Sequence, residues 1–275
     1  MKLVLPALFV LVVTLFPAVV LAENTFNQLL PINGEIKLLP WDEVDELIPR
    51  KSIFTIVDVE SGKSFQVQRR AGSQHADIQP LTNKDTEVLK TIYREWSWKR
   101  RAAIVVDDGK MIAASMNGMP HGAGALDNGF NGHFCLHFLK STTHGSSAPD
   151  PAHHLMVLKS AGKLDDYLSK QSPAELVNVL MLAINNTDTT LLRKLVPHDQ
   201  SDKELLLLSR LFVTNWKVTA NKQTRYFTYK APTKVEIYIE ENGTISTTIN
   251  LTARRDPISS RWRFDITDLL EIANH

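Results

Sequence analysis

The chain has 275 residues, 43 % of them hydrophobic and 22 % charged, with a formal net charge of +1. These are globular proportions, and the length allows one large or two modest domains. The near-neutral balance excludes the strongly basic profile of a nucleic-acid binder, and a single cysteine, Cys135, excludes an internal disulfide.

Residues 1–22 read as a cleavable secretory signal peptide. Lys2 supplies a positive start, residues 3–21 are apolar apart from Thr14 and the prolines Pro6 and Pro17, and Val20-Leu21-Ala22 precedes polar Glu23 and Asn24. Small or short-branched residues at −3 and −1 suit signal peptidase. Pro17 breaks a helix and no basic stop-transfer cluster follows. The expectation is a secreted, extracytoplasmic protein with no stable membrane span after cleavage. A leftover cysteine in such a chain is an intermolecular bridge, a thiol kept for reactivity, or a small buried hydrophobe.

Residues 23–52 read as a lead-in punctuated by Pro31, Pro40 and Pro49, with one or two helical turns at Trp41–Leu47. Runs 53–59 and 63–69 form a hairpin signal. Thr82 or Asn83 caps a helix over 82–95. Runs 102–106 and 110–116 flank Asp107-Asp108-Gly109, a tight-turn signal for a second hairpin. A Gly-rich stretch, 117–132, leads to an apolar run at 133–139. Near 163–171 the texture changes, which divides a 53–163 domain from a 164–275 domain. Ser172 and Pro173 open a helix predicted over 172–196, and a second helix is predicted over 201–212. Strands are predicted at 214–219, 223–230, 233–240, 244–252 and 260–266, an α+β layout of two helices and an antiparallel meander.

Six of the nine histidines fall between 121 and 154. If residues 132–138 are a strand, side chains alternate between its faces. His133, Cys135 and His137 then share one face, and Phe134, Leu136 and Phe138 the other. His121 stands upstream at the edge of the Gly-rich stretch and His144 downstream. A thiol becomes a strong nucleophile when a neighbouring histidine takes its proton. The same residue types bind zinc.

The segment His121-Gly122, a Gly-rich loop, then Gly132-His133-Phe134-Cys135-Leu136-His137 resembles the active-site motif of the L,D-transpeptidase (YkuD-type) family. It differs in carrying Gly132 for Ser or Thr, Phe134 for Gly, and His137 for Arg or Asn. The resemblance implies a mostly-β catalytic domain, Cys135 as nucleophile, His121 as its base and His133 as the second motif histidine, with Gly122, Gly132, His137 and His144 in support. It implies peptidoglycan stem peptides as partners, a cell-wall location and no cofactor: Cys135 attacks the L-centre to D-centre bond, D-alanine leaves, and an amine or water resolves the thioester. The alternative is a zinc-dependent wall peptidase drawing ligands from His75, Asp77, His121, His133, His137 and His144. A third reading is a non-catalytic wall-binding protein.

Two further features stand outside that cluster. Trp96-Ser97-Trp98-Lys99-Arg100-Arg101 mixes aromatics with bases; the expectation is one tryptophan anchoring the core and the bases solvated. His153 and His154 are expected in a half-exposed first turn of a helix after Asp150-Pro151. The C-terminal domain resembles the nuclear-transport-factor-like or cystatin-like class, which implies a protein- or wall-binding accessory role.

Overall fold

The structure is a computed structural model that describes residues 34–274 apart from 144, 146, 220, 221, 241, 258 and 259. The predicted signal segment and His144 therefore lie outside the described residues. No helix among the described residues is long and apolar enough to cross a membrane.

The first unit is a closed antiparallel barrel. In chain order it begins with β1 (Ile36–Lys37), α1 (Trp41–Leu47), β2 (Ile53–Asp58), β3 (Ser64–Ala71) and β4 (Ala76–Pro80). These are followed by α2 (Asn83–Tyr93), β5 (Arg101–Asp107), β6 (Lys110–Met116) and β7 (Phe134–His137). The strands run β6-β5-β2-β3-β4-β7, and β7 pairs back onto β6, so six strands close on themselves. Closure removes the free edges that an open sheet must protect. β1 adds in parallel to the edge of β6 that β7 uses, at Met111 and Ile112, while β7 takes Ser115 and Met116.

Both predicted hairpins are present. Asp108 and Gly109 between β5 and β6 have φ of 44° and 71°, the left-handed pair a two-residue turn requires. Helix α2 carries the expected cap, a reciprocal capping box between Thr82 and Asp85. The stretch taken as a lead-in helps fill the barrel: Trp41, Val44 and Ile48 join Phe54, Ile56, Phe65, Val67, Phe134 and Leu136 in one apolar core. Arg69, only 1 % exposed, ties α1 to this wall by donating to the carbonyls of Ile48 and Gly72 and pairing with Asp45.

The barrel is followed by α3 (Pro151–Ser160), α4 (Leu164–Lys170), α5 (Pro173–Asn185), α6 (Thr189–Leu195) and α7 (Asp202–Leu207). A 3-10 turn at Leu208–Arg210 then leads into a second sheet. That sheet contains β8 (Phe212–Val218), β9 (Lys222–Arg225), β10 (Thr228–Ile239), β11 (Gly243–Arg254) and β12 (Arg263–Asp265), and α8 (Thr267–Asn274) ends the described chain. Its order is β12-β11-β10-β8, with β9 also on β10. The architecture is thus mixed: a six-stranded barrel, a separate antiparallel sheet, and helices.

Three local expectations are corrected. The helix predicted over 172–196 is two, α5 and α6, because the chain turns at Thr187 (φ 54°) and Asp188 caps the next helix from the Leu191 amide. The helix predicted over 201–212 is α7 plus the 3-10 turn, and 211–212 already run into β8. The strand predicted at 223–230 divides at a turn over Tyr226 and Phe227, its first part lying in β9 and its last part joining the strand predicted at 233–240 in one long β10 that runs through Pro232. That proline is tolerated because it falls between the β9 ladder, which ends at Lys230, and the β8 ladder, which begins at Thr233.

Helix α3 joins the units. Ser160 hydrogen-bonds both the amide and the carbonyl of Ala114 on β6, while Leu155, Met156 and Leu158 enter the core of the second unit. A charge network runs alongside. Arg101 takes Asp58 through two bonds of 2.8 Å and Glu60 at 2.9 Å. Lys159 takes Glu60 and Asp188 at 2.8 Å each. Arg101, expected to be solvated, is instead held by these carboxylates.

Candidate active site

The site lies on the outer face of the barrel, where β4, β7 and β6 meet. The predicted alternation along β7 holds. Phe134 and Leu136 face the apolar interior, and Cys135 and His137 face outward. Phe134 packs on Phe65 and Phe130, so its bulk points away from the thiol. Antiparallel register sets Asp77 directly across from Cys135 on β4 and Ser115 directly across from His137 on β6. Helix α3 covers this face, which leaves Cys135 only 7 % exposed.

His121 reaches the thiol from the loop. Its backbone forms a two-bond bridge with His133, 3.0 and 2.9 Å, just before β7 begins. The ring places Nε2 3.3 Å from Cys135 Sγ, and Nδ1 donates to the Met119 carbonyl at 2.9 Å. That second bond fixes the tautomer and aims Nε2 at sulfur. Gly122 and Gly132 make the approach possible. A Cβ on Gly122 would stand 2.3 Å from the His133 ring, and one on Gly132 (φ +120°) would stand 2.5 Å from the His121 carbonyl oxygen. His133 packs edge-on against His121 with centroids 4.6 Å apart, bonds Ala123 O through Nδ1 at 3.0 Å, and has Nε2 3.7 Å from Asp77.

The Gly-rich stretch is held by buried side chains, Gln79 foremost, with Thr86 donating to the Asn128 carbonyl. Gln79 Oε1 accepts from the Ala125 and Leu126 amides, and its Nε2 donates to Leu126 O, Asn128 Oδ1 and Phe130 O. Sequence reading did not single out Gln79. Its position two residues after Asp77 on the same strand face was the available signal.

Behind the thiol stands a column of imidazoles. His75 stacks on His137 (4.3 Å, 15°), and His137 stacks on His153 (3.7 Å, 8°). His75 Nδ1 donates to Thr142 O at 2.7 Å, its Nε2 lies 3.4 Å from Asp77, and His153 Nδ1 bonds Ser115 Oγ at 2.8 Å. Asp150 caps α3 as expected by accepting from the Ala152 and His153 amides. The His153 side chain, however, is 4 % exposed rather than half-exposed, because α3 lies flat on the barrel.

These contacts polarise the site. Burial pushes the Cys135 thiol up, but His121, His137 and His75 outweigh it and hold the pKa at about 4. Burial pushes His75 down, but Asp77 and Cys135 outweigh it and raise it to about 10. Burial, with His153 alongside, takes His137 down to about 3. Burial also holds His153 well below the ordinary imidazole value. Contact with Cys135 raises His121, against its partial burial. At neutral pH the site therefore holds a thiolate beside a buried imidazolium, His75, with neutral His137 and His153 behind.

The zinc alternative meets this geometry at His75, Cys135 and His137, whose ligand atoms all lie within 4.8 Å of one another. Thiolate and imidazole are suitable zinc ligands. The rings are unfavourably aimed, however. A ring-nitrogen lone pair lies in its ring plane, so two nearly parallel stacked imidazoles point their lone pairs side by side instead of converging. His137 is further clamped between two neighbours. His121 approaches the thiol from the loop at 3.3 Å, and His133 lies 3.7 Å from Asp77. Comparison with family models, curated proteins and solved structures finds no match to this chain.

Proposed function

We propose that this chain is a cysteine-dependent acyl transferase or hydrolase of the extracytoplasmic cell wall, working on peptidoglycan stem peptides in the manner of the L,D-transpeptidases its motif resembles. The observation that carries the reading is the Cys135–His121 pair, 3.3 Å apart, with the far nitrogen of His121 tied to a backbone carbonyl. This is the nucleophile, base and orienting group of covalent catalysis. Cys135 Sγ adds to a peptide carbonyl and the carbonyl electron pair moves to oxygen. On collapse the C–N bond breaks, the amine leaves with the proton from His121 Nε2, and a thioester remains. A second amine or water gives its proton to His121, attacks the thioester and releases Sγ. His75 keeps the thiolate formed between turnovers, and His121 at the rim carries the proton.

Two measurements on the mature protein test the reading: zinc content, and the rate of Cys135 alkylation against pH. The expected result is a metal-free protein whose thiol reacts fast well below ~8.5, the ordinary thiol value. Incubation with a stem tetrapeptide should also leave a thioester mass on Cys135 that Cys135→Ala lacks. Stoichiometric zinc, with a thiol that reacts only after chelation, would replace this reading with the metal site at His75, Cys135 and His137.

A further inference from the structure

Attack of Cys135 Sγ on a carbonyl carbon puts negative charge on the carbonyl oxygen, which needs a fixed hydrogen-bond donor. The register of the sheet supplies a candidate one residue past β6. Ser115 stands across from His137 and Met116 across from Leu136. The Asn117 amide then donates to the Cys135 carbonyl at 3.3 Å, which sets Asn117 across from Cys135. Met116 belongs to the barrel core, while Ser115 bonds His153 on the outer face. Alternation therefore turns Asn117 outward, to the face that carries the thiol. Directly opposite residues on one face have Cβ atoms about 4.5–5.5 Å apart.

The nucleophile thus has two lateral neighbours across the sheet, Asp77 on one side and Asn117 on the other. A developing oxyanion is repelled by the carboxylate and accepted by the amide. Asn117 is 2 % exposed. Its Oδ1 accepts from the Met119 amide at 3.4 Å, and among the described residues its Nδ2 donates to no protein group. A buried donor left without a partner is costly, and an arriving oxygen removes that cost. The backbone around it is fixed. The Tyr93 hydroxyl donates to the Met116 carbonyl at 3.2 Å and the Gly118 amide to the Ser97 carbonyl at 2.9 Å. A Cβ on Gly118 would stand 2.5 Å from the Tyr93 ring. A donor held in place before the reaction spends nothing on reorganisation when charge develops.

We infer that Asn117 Nδ2 is the oxyanion donor of this site. The inference rests on the proposed function, because only addition to a carbonyl creates the oxyanion. As Sγ adds, the carbonyl electron pair moves to oxygen, and Nδ2 hydrogen-bonds that oxygen without giving up its proton. When the pair returns to carbon, the leaving group departs and the thioester remains. Asn117 Oδ1 also steadies Met119, whose carbonyl holds His121 Nδ1, so the test separates donation from positioning of the base.

Two reactions of the same thiol are compared in the mature protein, with Cys135→Ala as the blank. Acetylation by p-nitrophenyl acetate passes through an oxyanion and is read by p-nitrophenolate release. Alkylation by iodoacetamide displaces iodide from a saturated carbon and forms no oxyanion. Asn117→Ala is expected to slow acetylation about 10²-fold or more, the worth of one oxyanion donor, and to leave the alkylation midpoint and plateau unchanged. Asn117→Asp keeps the acceptor for Met119 and loses the donor, so its acetylation should also be slow at a pH on its alkylation plateau. Thermal melts check that each variant is folded. Native acetylation in either variant, or equal losses of acetylation and alkylation in Asn117→Ala, would overturn the inference while the proposed function stands. A wild-type thiol that alkylates but never acetylates would remove the proposed function, and the oxyanion donor with it.

Discussion

Replacing His75 by glutamine asks whether the buried imidazolium, and not only His121, keeps Cys135 ionised. The ring nitrogen of His75 and Cys135 Sγ lie within 4.8 Å. At an effective dielectric of ~20, two unit charges at that distance attract by about 3.5 kcal/mol, which corresponds to roughly 2.5 pH units. Glutamine keeps a polar side chain of similar reach toward Thr142 and Asp77 but cannot carry the charge. The Cys135 midpoint, held at about 4 in the native site, should therefore rise to roughly 6.5 in His75→Gln. The assay is iodoacetamide alkylation followed by mass spectrometry across the acid and neutral range. The midpoint is the readout, because a more basic thiolate is also a stronger nucleophile and the plateau rate changes in its own right. An unmoved midpoint in a folded His75→Gln protein would refute the assignment of the thiolate's partner.

Three other outcomes follow from the same geometry. Below pH ~6.5 the unfolded chain takes up protons that folded Cys135, His137 and His153 refuse, so stability should fall with acid by up to roughly 4 kcal/mol per pH unit. Between the ordinary imidazole and thiol values the Cys135 and His75 contributions oppose each other, and the His75 contribution is lost as pH rises through about 10. Urea melts across pH check this, and a flat acid limb would contradict the buried neutral column. Gln79→Ala should cost about 2–3 kcal/mol by stranding its loop partners, and hydrogen exchange at Ala125 and Leu126 should quicken while the β2–β3 hairpin stays protected. Gly132→Ala should push His121 away from Cys135, because its Cβ would meet the His121 carbonyl; the alkylation midpoint should rise, and an unchanged midpoint would show that the bridge adapts.

Sequence periodicity by itself determined that Cys135 and His137 share a strand face with Phe134 and Leu136 behind them, since alternation is a local property of extended chain. It also located the hairpins, the Thr82 cap and the His121-Gly122 and Gly132 pair, whose side chains or φ values act within a few residues. It missed the break between α5 and α6, where an apolar pattern on both sides of Asn186-Thr187-Asp188 masked a cap signal that was there to read. Tertiary structure alone decided what surrounds the thiol. His75 and Asp77 arrive through the β4–β7 register, and His153 through α3 folding back across the barrel. Those contacts join segments far apart in the chain. No local period or propensity encodes them; closure of the barrel and burial of the two cores do.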